Sequence, residues 1–170
     1  MKKIFKSQAR LHRSALHLGE GFMMIEILVA VSIITVSILG AMLVCQKSVS
    51  VSREAFHETQ AAFLLEEGAE AVHVLRDNAW SNISGLTAGA NYYPLFSGGT
   101  WTLSSSANTV DIFTRTVSVT NVNRDSTTKD IISSGTNDPQ TKLVTITVSW
   151  PESGVTTTKT LQFYIMDIFS

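Results

Sequence analysis

The sequence contains one cysteine, Cys45, and three prolines in 170 residues. A single thiol cannot form a disulfide within the chain, so the fold must be stabilised by packing in whichever compartment it lies. Positive and negative charges nearly cancel, with a net charge of −1. Since nucleic acid attracts proteins with a clear basic surface, we predict no nucleic-acid partner for this chain.

Motifs for catalysis are missing as well. The chain has no H-E-x-x-H helix, paired C-x-x-C, Walker loop or nucleophile elbow. His57 and His73 are 16 residues apart in the sequence, which places them about 160° apart around a helix, so they cannot share a metal. Glu66, Glu67 and Glu70 form an acidic cluster, which we interpret as the solvated face of a helix. We therefore expect no enzymatic activity and no cofactor.

One short segment has a weak resemblance to a calcium loop. Asn121-x-Asn123-x-Asp125 supplies oxygen ligands at the first, third and fifth positions. The sixth position, where the loop needs glycine, is Ser126, and the twelfth, where it needs a bidentate glutamate, is Ile132. A polar loop rich in turn residues explains the segment equally well, so calcium binding stays open.

The most prominent feature is an apolar run from Phe22 to Val44, 23 residues with Glu26 as the only charge. At about 1.5 Å per residue, a helix of this length reaches the roughly 30 Å of a hydrocarbon core. Five basic residues precede the run: Lys2, Lys3, Lys6, Arg10 and Arg13. By the positive-inside rule they predict a cytoplasmic N-terminus, with everything after Cys45 outside. A secretory signal peptide is the alternative, but its apolar region is normally shorter and no A-x-A-like site follows.

After Cys45 the helical pattern continues without a proline but becomes two-faced. Apolar or small residues recur at helical spacing to form one stripe: Ala61, Leu64, Leu65, Gly68, Ala71, Val72 and Leu75. Arg76 suits a helix C-terminus, and Asn82 with Gly85 provides a stop. These signals predict one helix from near Phe22 to near Asn78, about 57 residues or about 85 Å long.

From Ala79 onward the composition changes to Thr, Ser, Val, Ile and aromatic residues, as in strands. Ser97-Gly98-Gly99 predicts a hairpin turn, and Pro151 to Gly154 predicts another. "DIFTRTVSVTNV" and "TKLVTITVSW" predict strands, the second with Val, Ile and Trp on one face and Thr and Ser on the other. We expect one antiparallel sheet of four or five strands, solvated on one face.

This sheet needs a cover for its apolar face, and the amphipathic stripe is the only sizeable one available. The sequence therefore predicts an α+β fold in which a long N-terminal helix, first transmembrane and then amphipathic, packs on a small antiparallel β-sheet. The expected boundaries are 22–44 for the transmembrane helix, 45–78 for its amphipathic continuation and 79–170 for an extracytoplasmic β head. Trp80, Trp101 and Trp150 are expected in the core or at its rim.

Within this frame, Gly21-Phe22-Met23-Met24-Ile25-Glu26 resembles the N-terminal signature of type IV prepilins and type II secretion pseudopilins. The resemblance rests on the glycine, the phenylalanine, the glutamate, the basic leader and the apolar helix in one register. It implies that residues 1–21 are a leader, that a prepilin peptidase cuts after Gly21, and that Phe22 becomes a methylated N-terminus. It also implies that Glu26 acts in assembly and that the head has a pilin-like fold.

The resemblance further implies partners and a location. The expected partners are the prepilin peptidase, other pilin or pseudopilin subunits, membrane lipid and a pilus assembly platform. The chain would lie in the cytoplasmic membrane and then in an extracellular pilus or pseudopilus. Two alternatives stay open: a pseudopilin of a type II secretion or DNA-uptake system, and a signal-anchored extracellular binding module that is never cleaved. The sequence does not distinguish a major subunit from a minor one.

The charge of Glu26 agrees with this expectation. A carboxylate at mid-bilayer costs roughly 2.5 to 3.5 kcal/mol even on insertion scales, so it calls for a function. Cleavage after Gly21 would create an ammonium at Phe22, one helical turn from Glu26. The leader holds five of the 13 basic residues and one of the 14 acidic ones, so the remaining chain would have eight basic and 13 acidic residues, a net charge of −5.

Overall fold

The structure is a computed structural model that describes residues 5–169, with side chains described from residue 22 onward. It has two helices, α1 (Phe5–Asn78) and α2 (Ser81–Ser84). The chain divides into two compact units, Met1–Arg53 and Glu54–Ser170, and α1 contributes to both. An α+β fold with one long apolar N-terminal helix and antiparallel sheets is therefore confirmed.

Helix α1 ends where the sequence predicts but begins earlier. It can continue unbroken because the first proline of the chain is Pro94, beyond its end. At its C-terminus the Leu75 carbonyl accepts two hydrogen bonds, from the Ala79 N–H at 3.2 Å and from the side-chain amide of Asn82 at 2.9 Å. The whole predicted span from Phe22 to Asn78 is helical, and the helix extends further toward the N-terminus, to Phe5.

Six strands follow the helices. They are β1 (Tyr93–Ser97), β2 (Thr100–Ser104), β3 (Thr109–Val110), β4 (Phe113–Arg124), β5 (Thr136–Glu152) and β6 (Val155–Met166). The expectation of one sheet is wrong, because the strands form two antiparallel sheets: a β1–β2 hairpin, and a four-stranded sheet in the order β3–β4–β5–β6. The separate hairpin consists of β1 and β2 alone, which pair with each other over five residues each.

Two tight turns connect hairpin strands through residues with positive φ. Gly98 and Gly99, at φ +61° and +82°, form the predicted turn between β1 and β2. The second predicted turn is shorter than expected: only Ser153 and Gly154, at φ +50° and +83°, connect β5 to β6. Pro151 remains in β5 because it lies beyond Ser149, the last β5 residue in the ladder with β4, so its missing N–H breaks no bond of that ladder.

The core of the second unit lies between the amphipathic part of α1 and the four-stranded sheet. All seven residues of the predicted stripe are buried. The alternating residues of β5 are buried opposite them: Val144, Ile146, Val148 and Trp150. Ile165 of β6 completes this face, while Leu161 and Phe163 pack against it partly buried. Trp80 and Trp101 lie at the rim, as the sequence predicts.

Candidate functional site

The apolar half of α1 has no cover within the first unit. Every residue from Phe22 to Val44 is exposed. The exposed fraction of its large apolar residues runs from 53% to 79%. The stretch lies in a helix long and apolar enough to cross a membrane. So much apolar surface is stable only against lipid or other protein chains.

The hydroxyl groups in this stretch are already satisfied. The side chains of Ser32, Thr35 and Ser37 each donate a hydrogen bond to the carbonyl four residues earlier, at 2.7, 2.7 and 2.8 Å. This bond to the preceding turn is the usual way in which an apolar environment tolerates a hydroxyl group. These residues therefore need no partner outside their own helix.

Glu26 is different. It is exposed, and no hydrogen bond or ion pair involves it among the side chains that the structure describes. Phe22 lies four residues earlier, one turn away on the same helix face, and is 79% exposed. Glu26 is thus a lone carboxylate on an apolar surface, and a cation at the start of that surface would lie one turn from it.

Gly21, the expected cleavage position, lies outside the described side chains. The same holds for the basic residues Lys6, Arg10 and Arg13, while Lys2 and Lys3 lie outside the described residues altogether. The site therefore consists, in structural terms, of Phe22, Glu26 and the apolar surface that follows them.

The calcium-like segment has other contacts. The Lys142 ammonium donates to the Asn121 side-chain oxygen at 2.6 Å. The Asn123 amide donates to the Ser133 carbonyl at 3.1 Å. Asp125 accepts bonds from the N–H groups of Thr127 and Thr128, at 2.7 and 2.9 Å. A calcium ion would have to displace an ammonium group from Asn121, so the contacts favour the polar-turn interpretation.

Two carboxylates of this region, Asp125 and Asp138, have lowered pKa values for local reasons. Hydrogen bonds from the backbone N–H of Thr128 and then of Thr127 lower the pKa of Asp125. The pKa of Asp138 is lowered first by the Thr141 hydroxyl and then by Arg124. Arg124 Nε lies 2.7 Å from the Asp138 carboxylate. Both shifts belong to loop and strand structure, and within the described residues no group of three or more His, Cys, Asp or Glu could hold a metal.

His57 and His73, the two histidines whose side chains the structure describes, have structural partners and lie apart. His57 Nδ1 contacts the Glu152 carboxylate at 2.5 Å and joins the helix to the end of β5. His73 stacks on Phe163, with ring centroids 5.3 Å apart. His73 therefore packs against the sheet, although it falls outside the predicted stripe.

The sequence reasoning missed two buried charges, Arg115 and Lys142, of which Arg115 faces the helix. Arg115 belongs to β4 and is 4% exposed. Its guanidinium lies 2.9 Å from the Glu67 carboxylate and 5.6 Å from the centre of the Trp101 ring. Glu67 is therefore not merely part of a solvated acidic face, which corrects that interpretation. The signal was present: Arg115 lies two residues from both Phe113 and Val117, on the face that alternation predicts to be buried.

Comparison of the chain with protein-family models, with curated proteins and with solved structures finds no match. Its function must therefore be argued from its own residues.

Proposed function

We propose that this protein is a type IV pilin-like structural subunit, cut by a prepilin peptidase after Gly21 and assembled into a pilus or pseudopilus through the helix that then begins at Phe22. One observation carries the proposal: Glu26, the only charge in the uncovered apolar stretch Phe22–Val44, has no partner among the described side chains. A carboxylate in so apolar a place is stable only when a cation compensates it.

Cleavage would supply that cation. The new N-terminal ammonium at Phe22 would lie at the start of the same surface, one turn from Glu26. In an assembly of parallel helices, Glu26 of one subunit pairs with the Phe22 ammonium of a neighbour. An ion pair at low dielectric specifies register more reliably than it adds net stability, because desolvation offsets most of the attraction. Glu26 thus sets the stagger between subunits.

The apolar stretch has two successive partners in this proposal. Before assembly, membrane lipid covers it, with the N-terminus inside and the head outside. After assembly, other pilin or pseudopilin subunits cover it, and a pilus assembly platform moves the chain between the two states. The protein catalyses no reaction in either state and is itself the substrate of the peptidase.

The first test is cleavage, read as the intact mass of the protein extracted from membranes of a host that has the peptidase. We expect the mass of Phe22–Ser170 plus one methyl group. Gly21→Ala should leave most of the chain uncut, because the peptidase reads this glycine. The matched control is Gly40→Ala, since a Cβ at Gly40 meets nothing within 4 Å. Gly40→Ala should be cut normally.

The second test addresses assembly. Glu26→Ala should insert and be cut as the wild type is, while its incorporation into filaments falls at least about tenfold, the effect of losing roughly 1.4 kcal/mol per contact. Sheared filaments are quantified against the membrane pool. Ser37→Ala is the control, because the Ser37 hydroxyl bonds only to its own helix. Normal filament yield from Glu26→Ala would remove the assembly role.

The same measurements separate the alternatives. A wild-type chain that keeps Met1 in the presence of active peptidase is an uncleaved, signal-anchored binding module. A cleaved chain that is never found in shed filaments, imaged with an antibody against the head, is a pseudopilin of a secretion or DNA-uptake system.

A further inference from the structure

The four-stranded sheet has one covered edge and one open edge. At the covered edge, β4 pairs with the short β3 and also with the segment before β1. Tyr92 and Val117 exchange two backbone hydrogen bonds, at 2.8 and 2.7 Å, and the Gly89 N–H donates to the Val119 carbonyl at 2.8 Å. These contacts occupy the outward backbone groups along the middle of β4.

Strand β6 forms the open edge. The Asp167 N–H donates to the Gln140 carbonyl at 2.9 Å, and the β5–β6 register continues from there without a shift. Because antiparallel strands alternate inward and outward groups, the outward N–H and C=O groups belong to the even-numbered residues. These six residues define the β6 edge: Thr156, Thr158, Thr160, Gln162, Tyr164 and Met166. Within the described part of the chain, none of them bonds through its backbone to a further segment.

The β6 edge lacks most of the devices that normally protect such a strand, the exception being one inward-pointing charge, Lys159. Its twelve residues contain no proline, and no bulge interrupts their pairing with β5. The only charged residue of β6 is Lys159, which is odd-numbered and lies 3.2 Å from Glu58 of α1 in an ion pair. The edge row itself is uncharged and exposed.

We infer that the β6 edge pairs with the β6 edge of a second copy of this chain, in an antiparallel arrangement around a two-fold axis. Self-pairing places residues of one row opposite residues of the same row, and like charges would oppose it. This row has none. The sheet already contains a threonine–glutamine contact of the kind that this pairing makes, since Gln162 lies opposite Thr145 of β5 and its amide donates a hydrogen bond to the Thr145 hydroxyl at 3.0 Å. Pairing with a second β6 yields a continuous sheet of eight strands.

The longest overlap places Leu161 on the axis, so that Thr160 lies opposite Gln162 of the second copy and Thr158 opposite its Tyr164. A two-fold pair is closed, so this edge joins two copies and no more. It therefore differs from the contact through Phe22 and Glu26, which continues along an assembly. The inference does not depend on the proposed function, because none of its residues lies in Phe22–Val44.

The test uses the full chain in detergent, with the dimer measured by sedimentation over a range of concentrations. Thr160→Pro removes an N–H that points away from β5, so it breaks the edge but no bond within the sheet. It should weaken the dimer at least tenfold. Thr160→Ala keeps the N–H and should dimerise as the wild type does. A monomeric wild type, or equal dimerisation of both variants, would overturn the inference.

A second pair of variants serves if the proline variant does not fold. Thr160→Lys and Thr160→Glu each place like charges near the two-fold axis, so each alone should be largely monomeric. Mixing the two should restore a heterodimer, detected by mass. Failure of the mixture to form that heterodimer contradicts pairing at this edge, while cleavage after Gly21 and filament yield remain independent readouts of the proposed function.

Discussion

Helix α1 contains two apolar stretches that differ in what covers them. From Phe22 to Val44 every side chain is exposed, and the apolar residues cover the whole circumference. Between Ala61 and Leu75 the apolar residues form one stripe, and the sheet of the same chain buries it. The same secondary structure thus has two environments: the second stretch stabilises a head, whereas the first is exposed and would be covered, under the proposed function, by lipid or by other subunits.

Each stretch is also associated with one unexpected charge. Arg115, under the buried stripe, has Glu67 as its partner within the chain. Glu26, in the exposed stretch, has no partner among the described side chains. A buried charge whose counter-charge lies in the same chain needs no other molecule. A charge on an exposed apolar surface without such a partner indicates that another molecule supplies the counter-charge. This contrast is the main physical support for assembly.

The largest expected difference in head stability is between the variants Val72→Asp and Val36→Asp. Val72 is 0% exposed and Val36 is 70% exposed. Val72→Asp buries an unpaired carboxylate in the core and should cost more than about 4 kcal/mol, which prevents the head from folding. Val36→Asp should leave the head intact but impair membrane insertion. Near-ultraviolet circular dichroism reports the head alone, since Trp80, Trp101 and Trp150 all lie there.

Equal head stability of the two variants would contradict this comparison, because it would mean that packing of the stripe against the sheet does not stabilise the head. Membrane fractionation of the same samples gives the second readout. Normal insertion of Val36→Asp would show that the exposed stretch does not depend on lipid.

The sequence predicted the structure correctly where apolar residues repeat at a regular spacing and face a single surface. The stripe, the alternation in β5 and the glycine turn at Gly98 were all predicted, since period and turn chemistry are local properties. The separate β1–β2 hairpin was not predicted, because strand partners depend on contacts distant in sequence. Arg115 was missed for a related reason: its carboxylate partner lies 48 residues earlier, on another element. Glu26 was found because a charge in an apolar run is visible without any fold.

A smaller effect is expected from the ion pair of the head. Glu67→Gln leaves the Arg115 guanidinium, whose Nε already lacks a hydrogen-bond partner within the described residues, without its counter-charge. Because the Glu67 side chain is 48% exposed, solvent screens the pair, and we expect a loss of about 1 to 2 kcal/mol in the free energy of unfolding. Urea unfolding of the head measures it.

The matched variant is Arg115→Met, which replaces the buried charge by an apolar chain of similar length and should cost less than Glu67→Gln or nothing. The reverse order would mean that the guanidinium itself, through Trp101 and the Leu64 carbonyl, stabilises the head. The comparison with Glu26 would then lose its basis.

The smallest expected effect comes from the substitution of glycine by alanine at two positions of α1. Gly68 lies against the sheet, whereas a Cβ at Gly40 meets nothing within 4 Å. A Cβ at Gly68 would lie 3.1 Å from Ile146 Cγ2 and 3.3 Å from Arg115 Cδ. Crowding of this kind costs about 1 to 3 kcal/mol, and the gain in helix propensity returns about 1 kcal/mol. Gly68→Ala should therefore destabilise the head by about 1 kcal/mol and lower its melting temperature by about 4 °C. Gly40→Ala should leave that temperature unchanged, and a shift of equal size in both variants would show that helix propensity, and not the sheet against Gly68, decides the outcome.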